Sequence, residues 1–137
     1  MIRKIFTLAT IVLIVLSCTS PKKLVNDKNA ERLYFGNFGG FTNASLDYLL
    51  INNRMVYKIE QNNPVFVKKL TSKASTNLQD QIRNLNLSQY SLNEPGNITY
   101  YIKSVKDGIE KEIKFSSNSS DDKIKELYKT LMSTVKQ

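Results

Sequence analysis

Between residues 44 and 70, and again between 98 and 115, apolar side chains recur at every second position, and asparagine or glycine interrupts each run. A helix cannot use that period; it belongs to strands that bury one face and expose the other. Leu46, Tyr48 and Leu50 share one strand face, and Met55, Tyr57 and Ile59 share a face of the next. Asn52-Asn53 between them is expected to close a hairpin, because asparagine tolerates the positive φ of primed turns. Asn62-Asn63-Pro64 marks the following turn, and Val65 to Leu70 the strand after it. Ile98, Tyr100 and Ile102 alternate with Thr99, Tyr101 and Lys103. Across Asp107-Gly108, Ile109, Ile113 and Phe115 alternate with Glu110, Glu112 and Lys114, the most legible hairpin in the chain.

Two stretches keep a helical period instead. Residues 72–85 place Ala74, Leu78, Ile82 and Leu85 on one face, with Thr71 or Ser72 as N-cap. Residues 121–135 place Ile124, Leu127, Tyr128, Leu131, Met132 and Val135 on one stripe. Ser119 or Ser120 is expected to cap this second helix, and Asp121 and Asp122 lie where its dipole favours anions. The expected order is β-β-β-β-α-β-β-α. That is an α+β domain over residues 32–137, a mainly antiparallel sheet with two helices packed on it.

The N-terminus follows different rules. Arg3 and Lys4 precede an uncharged run from Ile5 to Leu16, which ends at Ser17 and Cys18. A basic start and about a dozen apolar residues have the form of an export signal. The run is shorter than the ~20 residues that a membrane-crossing helix needs. Val15-Leu16-Ser17-Cys18 resembles the bacterial lipobox, an aliphatic-rich tripeptide ending in a small residue before an obligatory cysteine. The resemblance implies a signal peptide over residues 1–17, diacylglycerol in thioether linkage on Cys18, cleavage between Ser17 and Cys18, and acylation of the new amino group. Several acyl chains, at about 0.8 kcal/mol per buried CH₂, give a durable anchor where one gives a marginal one. Thr19 is not the aspartate that signals inner-membrane retention, and residues 19–23 lack an early acidic cluster of the surface-export kind. The expected address is therefore the outer membrane, facing the periplasm, with residues 18–31 as lipid anchor and flexible tether.

Composition removes several kinds of chemistry. The 137 residues include no histidine and one cysteine. Histidine acid–base catalysis, Ser-His and Cys-His nucleophile pairs, histidine-ligated zinc and an internal disulfide all require residues that are missing. Export would remove Arg3 and Lys4 and leave 18 Lys+Arg against 12 Asp+Glu, a net +6. The lysines are scattered, with no dense basic block, so no nucleic-acid partner is expected. Glu110 and Glu112 read as the wet side of a hairpin facing lysines, and Asp121-Asp122 as helix-start charges. An enzyme built on carboxylates and tyrosines is the weakest reading; no cofactor or metal is expected.

Residues 36–41 are glycine-rich without the spacing of a phosphate loop, and a bulge or sharp sheet corner is expected there. Tyr34, Phe35, Phe38 and Phe41 crowd around them. Phe38, Gly39, Gly40 and Phe41 are therefore the candidate partner-binding residues. Tyr100 and Tyr101 must face opposite ways, one to the core and one outward.

One further likeness rests on the string Phe35-Gly36-Asn37-Phe38-Gly39-Gly40-Phe41-Thr42, on Glu94-Pro95-Gly96-Asn97-Ile98-Thr99-Tyr100-Tyr101-Ile102, on Asp107-Gly108 and on the final Leu-bearing helix. Over residues 33–135 this ordering resembles small Bacteroidetes lipoproteins and is similar to emfourin-type inhibitors of thermolysin-like metallopeptidases. The first expectation is a non-enzymatic, lipid-anchored interaction domain that touches membrane lipid through Cys18 and holds a protein partner. The second is a metallopeptidase inhibitor whose target contacts lie in residues 38–41 or 93–97.

Overall fold

The computed structural model describes residues 21–136. The expected signal peptide (residues 1–17), the expected cleavage between Ser17 and Cys18 and the expected lipidation of Cys18 all lie outside the described residues. Among the described residues there are six strands, β1 ahead of the alternating runs and the other five along them: β1 (Arg32–Gly39), β2 (Ala44–Ile51), β3 (Met55–Glu60), β4 (Asn63–Lys69), β5 (Ile98–Lys106) and β6 (Ile109–Phe115). They form one antiparallel sheet in the order β4-β3-β2-β1-β5-β6. The first four strands are sequential neighbours, whereas β5 returns to the free side of β1 and makes β1 central.

Residues that tolerate positive φ set the hairpins. Asn52 and Asn53 both adopt positive φ (50° and 53°), and Asp107 and Gly108 do the same (51° and 77°). That backbone twist matches the twist of the flanking strands. The β3–β4 turn corrects the sequence reading: Gln61 and Asn62 form it, with φ 49° and 64°. Asn63 and Pro64 already belong to β4. Proline is tolerated there because β4 is an edge strand. Residues 36–41 are not simply a corner between strands, since β1 runs through Gly36 as far as Gly39.

Among the described residues there are three helices rather than the expected two: α1 (Pro21–Val25), α2 (Ser72–Leu85) and α3 (Asp122–Ser133). The extra one, α1, falls in the stretch read as tether. It is too short to show a helical period in the sequence, and packing holds it. Leu24 and Val25 lie against Ala30, Leu49, Ile51 and Tyr57 on one face of the sheet. The Val25 carbonyl accepts a 2.7 Å hydrogen bond from Arg32 Nη1.

The other face carries the main core. Leu33, Phe35, Leu50, Val56, Ile102, Ile113 and Phe115 from the sheet meet Leu78 of α2 and Ile124, Leu127, Tyr128 and Leu131 of α3. Each large aliphatic side chain buried there contributes about 1.5–3 kcal/mol. Thr71 caps α2 by accepting from the Ala74 N–H, as one of the two expected caps, and Asn86 ends it at φ 51°. The cap of α3 is Asp121, not Ser119 or Ser120; its Oδ1 accepts from the Ile124 N–H at 3.1 Å. Ser119 is engaged elsewhere, donating to Glu94.

Candidate functional site

The β1–β2 loop stands at the end of the sheet where β5 begins, because β1 pairs Gly39 with Ile98. Gly39 and Gly40 have φ of 100° and 75°, backbone that a side chain adopts only under strain. Gly39 is also excluded from growing by space: a Cβ would sit 2.5 Å from the Asn97 carbonyl oxygen. Gly40 donates its N–H to that same oxygen at 2.8 Å, and its own carbonyl accepts from the Asn43 N–H at 3.2 Å. The loop is thus closed on itself and fastened to the strand beside it. At its tip Phe41 is fully exposed, at 107% of its reference area. Phe38 (39%) and Ile98 (45%) flank it.

The partner segment, residues 93–97, is fixed from the opposite side. Glu94 donates its N–H to the Lys114 carbonyl at 2.9 Å, and Leu92 accepts from the Lys114 N–H at 3.1 Å, so the segment rides on β6. The Glu94 carboxylate accepts from Ser119 Oγ at 2.7 Å. Thr99 Oγ1 donates to the Gly96 carbonyl at 3.1 Å. Just upstream, Tyr90 donates its hydroxyl proton to Asp121 at the start of α3. Burial, and then that carboxylate, push the Tyr90 phenol up to about 12. Burial opposes the Asp121 charge, but the Tyr90 hydroxyl and the N–H groups of Ile124 and Lys123 outweigh it and hold the carboxyl below its ordinary value.

Beneath Phe38 the sheet face that also carries α1 holds a row of three residues on three strands. Asp47 of β2, Gly36 of β1 and Tyr101 of β5 stand directly opposite one another. Tyr101 reaches over Gly36 and donates to Asp47 Oδ1 at 2.6 Å. Gly36 has to be bare, since a Cβ there would lie 1.9 Å from the Leu46 carbonyl oxygen. Desolvation first, and the Asp47 carboxylate second, raise the Tyr101 phenol far above its ordinary 10.0. Phe38 rests on this tyrosine with ring centroids 6.2 Å apart. Tyr101 therefore braces the loop from below.

The candidate residues Phe38, Gly39, Gly40 and Phe41 are thus together at one end, and the structure adds Ile98 and the brace of Tyr101 on Asp47. Those additions depend on which strands are neighbours; the alternation of Ile98, Tyr100 and Ile102 was the local signal for the first. Tyr100 and Tyr101 do face opposite ways, Tyr100 stacking with Phe115 and Tyr128 in the core layer. Glu110 and Glu112 are both engaged by lysines, Glu110 reaching across to Lys103 of β5 at 3.5 Å and Glu112 pairing along its own strand with Lys114 at 2.9 Å. Asp122 pairs with Lys125 at 3.0 Å. Among the described residues, no three of His, Cys, Asp and Glu are placed to hold a metal ion, and no helix is long and apolar enough to cross a membrane.

No family model matches this chain, and no curated protein matches it as a relative.

Proposed function

We propose that the protein is a lipid-anchored interaction domain of the outer membrane, facing the periplasm, which holds a protein partner at the β1–β2 end of its sheet. The observation that carries this reading is Phe41, a phenyl ring wholly in water on a loop whose backbone is tied down. Aromatic anchors dominate binding energy at interfaces. An anchor on a pre-organised loop loses little conformational freedom when it docks. The lipobox residues Val15, Leu16, Ser17 and Cys18 support the anchor, and because Leu24, Val25 and Ala30 pack on the sheet, little of the stretch 18–31 is left as tether and the domain is held near the membrane. Binding is favoured over catalysis because histidine is missing from the sequence and because Glu110, Glu112 and Asp121 are engaged by lysines, a tyrosine or a helix start.

A photo-crosslinking residue at position 41 of the anchored chain, in intact cells, is expected to trap one discrete protein. A smear no different from that obtained at position 109 would reject the partner site. Cys18→Ser is expected to abolish fatty-acid labelling and leave unprocessed precursor; labelled mutant would reject the lipobox.

A second reading is an inhibitor of a thermolysin-like metallopeptidase. It is favoured by the Gly40–Asn97 hydrogen bond, which unites the two segments expected to face such a target, residues 38–41 and 93–97. Stoichiometric loss of thermolysin activity on adding the protein would support it. Full activity in the presence of excess protein would exclude it.

A further inference from the structure

Beside the loop, on the helix-bearing face, a groove of about 400 Å³ runs between the end of β6 and α3. Tyr100, Phe115, Tyr128 and Met132 line it, and Lys125 and Lys129 stand along it. The three rings pack against one another at 5.2–5.5 Å between centroids, a firm aromatic floor. Among the described residues, none that lines the groove carries a carboxylate. Lys125 is already paired with Asp122, whereas Lys129 has no carboxylate within 4.0 Å among the described residues. An apolar hollow with cations and no anions is complementary to an apolar group that travels with negative charge.

Past Tyr100, the groove's one residue on β5, a further exposed apolar side chain follows. Ile98 lies two residues earlier on the same face of β5, about 7 Å away along the strand. Its side chain reaches the site of Gly40, 3.4 Å from where a Cβ would be. On the other side, Ser116 in the wall of the groove touches Gly96 of the segment that fastens the loop. One apolar track therefore leads from Tyr128 through Tyr100 and Ile98 to the loop of Phe41. A single acyl chain with one head group would use only the hollow. An extended peptide can use the whole track.

We propose that this groove receives an aromatic side chain from an acidic, extended segment of a partner protein, with Lys129 and Lys125 reading the acidic residues. The proposal rests on the interaction-domain reading and supplies the chemistry of its partner.

The test uses the acylated full chain in nanodiscs of zwitterionic lipid, with fluorescein-labelled peptides of about ten residues read by anisotropy. The first peptide carries two phenylalanines among Asp and Glu. A second replaces the acids by Asn and Gln, and a third replaces Phe by Ser. Saturable binding of the first, at least tenfold tighter than the other two and weakened by salt, is expected. Lys129→Glu should weaken it about tenfold, Met132→Glu likewise, and Lys129→Arg should restore it. Both altered positions are at least partly solvent-exposed, and unchanged circular dichroism checks that the fold survives. Equal binding of all three peptides, or no effect of Lys129→Glu, overturns the proposal. Oleate that occupies the groove and that none of the peptides displaces overturns it as well, in favour of a lipid site. Failure of the acidic peptide while the position-41 crosslink persists removes the groove and spares the interaction domain. Peptide binding without that crosslink upholds the groove and removes the Phe41 tip.

Discussion

Two glycine-bearing turns close hairpins at opposite ends of the same sheet, and each carries an exposed apolar side chain. At the β5–β6 turn Gly108 has φ 77°, nothing lies within 4 Å of the place a Cβ would take, and Ile109 is 74% exposed. At the β1–β2 loop Gly39 and Gly40 also have positive φ, but the Asn97 carbonyl and the Ile98 side chain press against them. Backbone conformation alone selects the glycine at the first turn. At the second, conformation and a neighbouring strand select it together. An apolar residue on a free turn is ordinary for a protein surface. Phe41 differs because its loop is fastened to a neighbouring strand, by the Gly40 N–H on the Asn97 carbonyl, whereas Ile109 is paired only within its own hairpin.

The largest expected contrast separates the glycines themselves. Gly108→Ala meets only left-handed strain, about 1 kcal/mol. Gly39→Ala meets backbone strain and a backbone oxygen at 2.5 Å, and should cost about 3 kcal/mol. Urea midpoints at unchanged slope measure both. Equal losses would mean that Asn97 yields, and the two turns would then be alike.

The brace beneath the loop gives a smaller effect with a defined pH signature. Tyr101→Phe removes the hydrogen bond to Asp47 and is expected to cost about 1–2 kcal/mol at neutral pH. Tyr90 and Tyr101 both have phenols raised above 10.0 in the folded chain. Folding therefore favours the protonated form, and the stabilisation is complete below pH 10.0, the value of the unfolded chain. It is lost as pH rises, through about 12 for Tyr90. Lysines titrate over the same range in every variant, so the difference from wild type is the informative quantity. Between pH 10 and 12 the wild type should lose stability more steeply than Tyr90→Phe. Parallel curves would show that Tyr90 does not hold residues 90–97 to α3.

The contrast also marks what a sequence can disclose. The β5–β6 turn was legible because Asp107-Gly108 and the alternation beside it are local preferences. Both major helices were legible for the same reason, each carrying its apolar stripe and a capping residue within reach. Gln61 at positive φ was not, since glutamine has no local preference for that backbone and strand pairing imposes it. Neither was α1, whose few residues pack without a period of their own. Asp121 displaced Ser119 as helix cap because Ser119 is drawn to Glu94 across the fold. The candidate residues Phe38 to Phe41 could be named from their crowding. Their attachment to Asn97 could not, because it exists only once β5 has come back beside β1 rather than beside β4.

The smallest effect on stability should carry the largest functional difference. Phe41→Ser and Ile109→Ser both replace a solvent-exposed apolar side chain, and each should change folding free energy by no more than about 0.5 kcal/mol. If the held loop is the one that docks, only Phe41→Ser abolishes capture of the crosslinked partner, while Ile109→Ser leaves it at wild-type yield. Ile109 is itself paired with Lys106 at the start of β6, so both side chains stand on held backbone. Phe41 differs in offering a whole aromatic ring on a loop tied to the neighbouring strand, the kind of side chain that dominates interface energies. Equal losses from both variants would make exposure alone the determinant and leave the fastening of Gly40 to Asn97 without a role in recognition. Loss from Ile109→Ser alone would move the binding surface to the opposite end of the sheet.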